Sequence, residues 1–116
     1  MTVLGRKTLA VDFDGTIADT PPGFHLGDPQ GDPFPGAIEW LRLVSGEFYV
    51  VIHTTRGGSD FGRQSVLQWL ASNGWSGKCG ITDRKPSAFA YLDDRAIRFE
   101  GVYPTIEELR ALAERP

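Results

Sequence analysis

At 116 residues, 41% hydrophobic and 23% charged, the chain is sized for one domain with a single core and leaves no room for a second. A formal charge of -3 excludes a global attraction to nucleic acid or to an acidic membrane surface, and a single cysteine, Cys79, excludes an internal disulfide and a multi-cysteine zinc site. The Met1–Lys7 stretch lacks a signal-peptide core and no run reaches transmembrane length, so a cytoplasmic protein without membrane partners is expected.

In chain order, the apolar run behind Asp12 predicts a strand near Thr8–Phe13. Asp12 and Asp14 are two apart, so on a strand both carboxylates face the same way, and Gly15 lets the chain turn sharply away from them. From Gly15 to Pro35 the Pro, Gly and Asp content predicts a long irregular flap, a length of loop that is uncommon in a compact domain and often functional or mobile. A helix follows Pro35, with Ala37, Trp40, Leu41 and Val44 at helical spacing. Next come a strand near Phe48–His53 and a helix from about Asp60 to Asn73 carrying Val66, Trp69 and Leu70 on one face. Further strands are predicted near Gly80–Thr82, Ala88–Leu92 and Ala96–Phe99. Thr105 and Glu108 fit a capping box that opens a last helix striped by Ile106, Leu109, Leu112 and Ala113. This alternation predicts an α/β fold: a doubly wound, Rossmann-like parallel sheet of about five strands flanked by helices, forming one domain over 1–116.

Asp12-Phe13-Asp14-Gly15-Thr16 resembles the first motif of the haloacid dehalogenase-like (HAD) superfamily. Thr54-Thr55-Arg56, behind Tyr49–His53, is similar to the second motif; Lys85-Pro86 looks like the third, and Asp93-Asp94, behind Tyr91-Leu92, the fourth. The four stand in the family's order. The resemblance implies a phosphatase dependent on Mg²⁺, with Asp12 as nucleophile, Asp14 as general acid and base, and Thr54 and Lys85 binding the phosphoryl group. It further implies substrate contacts from Gly15, Thr16, Thr55 and Arg56. Metal ligation is implied for the Asp12 carboxylate, the Asp14 carbonyl and Asp94, with Asp93 in support. Asp14 is then expected to hold a proton near neutral pH, in an environment unlike that of Asp12.

Asp14 to Thr54 spans 40 positions and Thr54 to Lys85 spans 31, each with a helix and a strand to contain, so no cap domain fits and the capless branch is implied. The implied substrate is a phosphorylated small molecule or nucleotide, hydrolysed through an aspartyl-phosphate. A polynucleotide 3′-phosphatase and a non-catalytic phosphate-binding module are the alternatives. Arg56, Arg84, Lys85 and Arg95 each lie within two positions of a motif residue; balancing the nearby acids is favoured over a phosphate-binding collar, because no basic stripe with aromatics extends further. His53 is expected as a packed strand residue, His25 as a flap residue, Cys79 as a small core residue, and Trp40, Trp69 and Trp75 in packing.

Overall fold

The fold starts with β1 (Thr2–Val3), which turns back antiparallel onto the beginning of β2 (Arg6–Asp12), with Val3 opposite Arg6. This computed structural model describes residues 2–3 and 5–115; Met1 and Leu4 of the N-terminal stretch, and Pro116, lie outside them. Thr8, Leu9, Ala10 and Val11 are all buried, as expected of a strand covered on both faces. β3 (Ala18–Asp19) and β4 (Asp32–Pro33) pair antiparallel as a separate two-stranded ribbon. The segment expected to be irregular is therefore pinned at both ends, further tied by Phe34 N donating to Ile17 O at 3.0 Å.

α1 (Ala37–Ser45) buries Ala37, Ile38 and Leu41. β5 (Tyr49–His53) follows, then a 3₁₀ turn over Thr55–Gly58 and α2 (Asp60–Ser72), whose Ser59 cap accepts from Gly62 N at 3.0 Å. β6 (Gly80–Thr82), β7 (Ala90–Leu92) and α3 (Ile106–Ala113) complete the chain. Thr105 caps α3 as its motif predicts, accepting from Glu108 N at 3.1 Å.

The main sheet is mixed. β7, β2, β5 and β6 lie side by side in that order and parallel, and β1 runs antiparallel against β2. Leu9, Val11, Val50 and Ile52 of the sheet pack with Leu41, Val66 and Leu70 of α1 and α2 into one core, which Trp75 closes. Cys79 packs partly buried against it, and burial pushes its thiol up to about 11. Trp40 and Trp69 also pack there.

Two expectations are corrected. An all-parallel sheet is not formed, because β1 and the β3–β4 ribbon pair antiparallel. Ala96–Phe99 is not a strand: Ile97 and Phe99 are 51% and 60% exposed. Alternation marks a strand only where an edge is there to pair with it, and here the chain leaves the sheet after β7.

Gly62 sits in the first turn of α2, where a Cβ would come 1.8 Å from the Arg56 carbonyl oxygen. Helix propensity alone would make Gly62→Ala stabilising by about 1 kcal/mol. The contact is with backbone, and overpacking of this kind costs about 1–3 kcal/mol, so the substitution is expected to lower stability. Thermal unfolding checks this, and a raised midpoint would contradict it.

Candidate active site

Register builds the site. Asp12 is level with His53, His53 with Thr82, and Val11 with Leu92, so the four parallel strands end together. The residues that follow each strand therefore emerge along one edge, the carboxyl edge where parallel sheets place ligands. They are Asp14 after β2, Thr54 and Thr55 after β5, Asp83 after β6, and Asp93 and Asp94 after β7. A cleft of about 280 Å³ opens there, to which His53, Arg95 and Phe24 from the flap also contribute.

Carboxylate oxygens of Asp12, Asp93 and Asp94 lie within 4.8 Å of one another. Asp12 is half-buried, and its acid is raised from 3.8 to about 7. Burial is the largest cause, followed by the hydrogen-bonded Asp94 carboxyl and the charge of Asp93; the Phe13 N–H opposes them. Asp93 and Asp94 thus bring two further carboxyls against Asp12 and concentrate negative charge at this point. Thr16 Oγ1 donates to Asp12 Oδ2 at 3.3 Å. The three carboxylates form an all-oxygen donor set of the kind hard divalent cations take, and such a cation relieves the repulsion that the proton otherwise relieves.

Asp14 meets a different environment. Arg56 Nε donates to its Oδ2 at 2.7 Å and Arg56 Nη2 to its Oδ1 at 3.1 Å, a bidentate pair in which both side chains are almost wholly buried. Thr20 Oγ1 donates to Oδ1 at 2.6 Å. Both Asp14 oxygens thus act as acceptors, and delivering a proton requires one of them to turn from these donors. The two carboxylates thus differ in their partners: Asp12 faces two further carboxyls, and Asp14 faces only donors.

Arg56 does more than pair. Its Nη1 donates to the carbonyls of Asp28 at 3.0 Å and Leu26 at 3.3 Å, and its guanidinium lies 4.7 Å from the centre of the Phe24 ring. The flap is therefore fastened to Asp14 through one buried cation. Trp69 Nε1, donating to Gly31 O at 2.8 Å, adds a second tie. Trp69 is thus both a packing residue, edge-on to Phe13, and a tether.

The other expected residues divide. Thr54 is buried, its hydroxyl accepts from Arg56 N at 3.2 Å, and both it and Thr55 reach the cleft. Lys85 is not brought in: it is exposed, with its ammonium 4.7 Å from the centre of the Tyr91 ring, while Tyr91 Oη donates to Pro86 O. Arg84 is likewise exposed and absent from the cleft wall. His25 is exposed and only its backbone is engaged, N donating to Asp28 Oδ2 at 2.8 Å. His53 faces the cleft rather than only packing.

Gly15 has φ 91°, and a Cβ there would lie 2.6 Å from Asp94 Oδ2. Gly15→Ala is expected to cost about 1–2 kcal/mol from left-handed backbone alone and to push Asp94 out of the carboxylate cluster. Differential scanning fluorimetry with and without Mg²⁺ checks this; a Mg²⁺-induced midpoint shift equal to that of the unaltered chain would contradict the displacement.

Sequence reasoning missed Thr20, Asp83 and the flap-fastening role of Arg56. Asp83 carried a weak signal, since it follows the strand predicted at Gly80–Thr82, whereas Thr20 lay in the stretch expected to be irregular and carried none. The contacts of Arg56 with the flap carried none, because they join residues 28 and 30 positions apart. The chain matches no protein-family model, no curated protein and no solved structure.

Proposed function

We propose that the chain is a capless HAD-like phosphohydrolase, dependent on Mg²⁺, that cleaves a phosphate monoester of a small molecule or nucleotide. The observation that carries this reading is the convergence of Asp12, Asp93, Asp94 and Thr54 on one cleft at the carboxyl edge of the parallel strands. Strand order supports it too. The chain steps from β2 outward through β5 to β6 and then returns to β7 on the other side of β2, and open α/β sheets hold ligands where the strand order reverses in this way.

Asp12, Asp94 and Asp93 would hold the cation, which when bound supplies the positive charge that lets a carboxylate approach a phosphate dianion. Without it, each unit pair of like charges at about 4 Å costs about 4 kcal/mol at an effective dielectric of 20. Asp12 attacks phosphorus in line and becomes the aspartyl-phosphate as the ester P–O bond breaks, the leaving oxygen taking a proton from solvent or from an Asp14 that has first taken one up. Thr54 and Thr55 bind phosphoryl oxygens. Asp14, an acceptor on both oxygens, is set to take a proton from the water that hydrolyses the intermediate; giving a proton to the leaving alcohol requires it to move away from Arg56. Lys85 joins only by leaving the Tyr91 ring, which its flexible stem permits.

The test is hydrolysis of an aryl phosphate by the purified chain with Mg²⁺ and with chelator. Turnover that requires the metal supports the reading. A folded, Mg²⁺-binding protein that turns over no aryl, nucleotide or strand-end phosphate would leave the binding-module alternative in its place.

A further inference from the structure

A second cleft, of about 240 Å³, adjoins the first and is lined by Pro22, Phe24 and Phe34 with Asp19, Thr20 and Arg95. The two share Asp14, Phe24, Asp94 and Arg95, so they meet along one wall. Each alone falls below the roughly 300–1,000 Å³ of a small-molecule site, and joined they reach it. The first holds Asp12 and Thr54; the second lacks both and offers the flap's apolar side chains instead. Those side chains are anchored. The Arg56 guanidinium lies over the Phe24 ring, and Phe34 packs partly buried against the core.

Among the described residues, Arg95 is the only Lys or Arg that lines either cleft. Its backbone N donates to Asp93 Oδ1 at 2.7 Å, but its exposed guanidinium has no hydrogen bond or ion pair with the chain. Arg95 therefore does not pair with the acids beside it, as its sequence neighbours suggested, and its charge is left to a ligand. Of the carboxylates on the flap wall, Asp14 is already paired with Arg56 and Asp94 belongs to the cation cluster, which leaves Asp19 to oppose an anion there.

We propose that the flap cleft receives the substrate's leaving group and that Arg95 selects leaving groups bearing a second anion, carboxylate or phosphate, on a flat ring. This rests on the phosphohydrolase reading above, which puts the reacting phosphate beside Asp12. Asp14 stands on the shared wall, where the ester oxygen crosses from one cleft to the other and where a residue exchanging protons with it has to be. A guanidinium binds a carboxylate or phosphate through two parallel N–H bonds, so it separates a charged ring from a neutral one. Pro22, Phe24 and Phe34 supply the apolar walls for the ring.

Calorimetric titration with phosphonates in Mg²⁺ tests this, because a CH₂ in place of the ester oxygen leaves nothing to cleave. The probes are benzylphosphonate, its para-carboxylate and para-xylylenediphosphonate. The unaltered chain is expected to bind one or both of the last two about tenfold or more tightly than benzylphosphonate, and which one tells a carboxylate from a phosphate. Arg95→Ala should reduce the preference to about twofold or less, Arg95→Lys should keep part of it, and Asp19→Asn should widen it. No preference in the unaltered chain, or one that Arg95→Ala leaves intact, would overturn the proposal. Hydrolysis of phenyl phosphate by the same protein is read separately. No turnover with the preference intact would sink the phosphohydrolase reading and leave the anion subsite standing; turnover without the preference would do the reverse.

Discussion

Asp12→Asn is expected to remove Mg²⁺-dependent phosphate hydrolysis, by about 10³-fold or more, while making the metal-free protein more stable above pH 7. The first effect follows if the carboxylate is the nucleophile, because an amide neither attacks phosphorus nor replaces the charge that holds the cation. The second follows from the cluster's electrostatics. The Asp12 acid lies at about 7 in the folded chain against 3.8 ordinarily, so the folded state keeps a proton that the unfolded state releases between those values. Its contribution is therefore fully present below about pH 4 and is lost as pH rises through about 7. Water still reaches this carboxylate and screens it, so a gain on the order of 1 kcal/mol, a few degrees for a domain of this size, is expected for Asn at pH 8. In chelator the midpoint of the unaltered chain should fall between pH 5 and 8, and Mg²⁺ should restore it at pH 8; Asp12→Asn should flatten both responses. Activity retained by Asp12→Asn would sink the nucleophile assignment. An unchanged midpoint at pH 8 would sink the electrostatic account and leave the nucleophile untouched.

Arg56→Ala is expected to cost about 3–5 kcal/mol, the scale for stranding one partner of a buried ion pair. Asp14 would lose two donors, and the carbonyls of Leu26 and Asp28 would lose theirs, so the flap should come loose as well. Limited proteolysis reads the second consequence separately from the first: cleavage within 21–29 should become faster in Arg56→Ala at temperatures where the variant remains folded. Pairing the substitution with Asp14→Ala should cost less than the two single losses added together, since the second change removes the carboxylate that the first one stranded. A loss below about 1 kcal/mol with an unchanged cleavage rate would mean that Arg56 neither sustains Asp14 nor holds the flap.

Much of the framework was legible in the sequence because it depends on near neighbours. Apolar runs of strand length lie at β2, β5, β6 and β7, helical spacing at α1 and α2, and Thr105 with Glu108 marks the start of α3. The candidate site carboxylates could be named for the same reason: Asp12, Asp93 and Asp94 sit at the tails of such runs, and parallel strands bring their tails together. The mistaken strand at Ala96–Phe99 shows the boundary of that logic, since its alternation was local but pairing requires an edge elsewhere in the chain.

Tertiary structure alone decided which charges meet. Arg56 follows Thr55 in sequence and reads equally as a phosphate contact, yet its partner is Asp14, 42 positions away, and its other acceptors lie in the flap. Lys85 stands in a motif position but rests on Tyr91 outside the cleft. Asp12 is held towards its protonated form by burial and by its neighbours Asp93 and Asp94, which come from the far end of the chain, while Arg56 and Thr20 donate to the Asp14 carboxylate. Sequence patterns record which residue types stand at which spacing along one chain. A carboxylate's charge state depends on distance, burial and donors contributed by segments far apart in that chain, and only the folded structure assembles them.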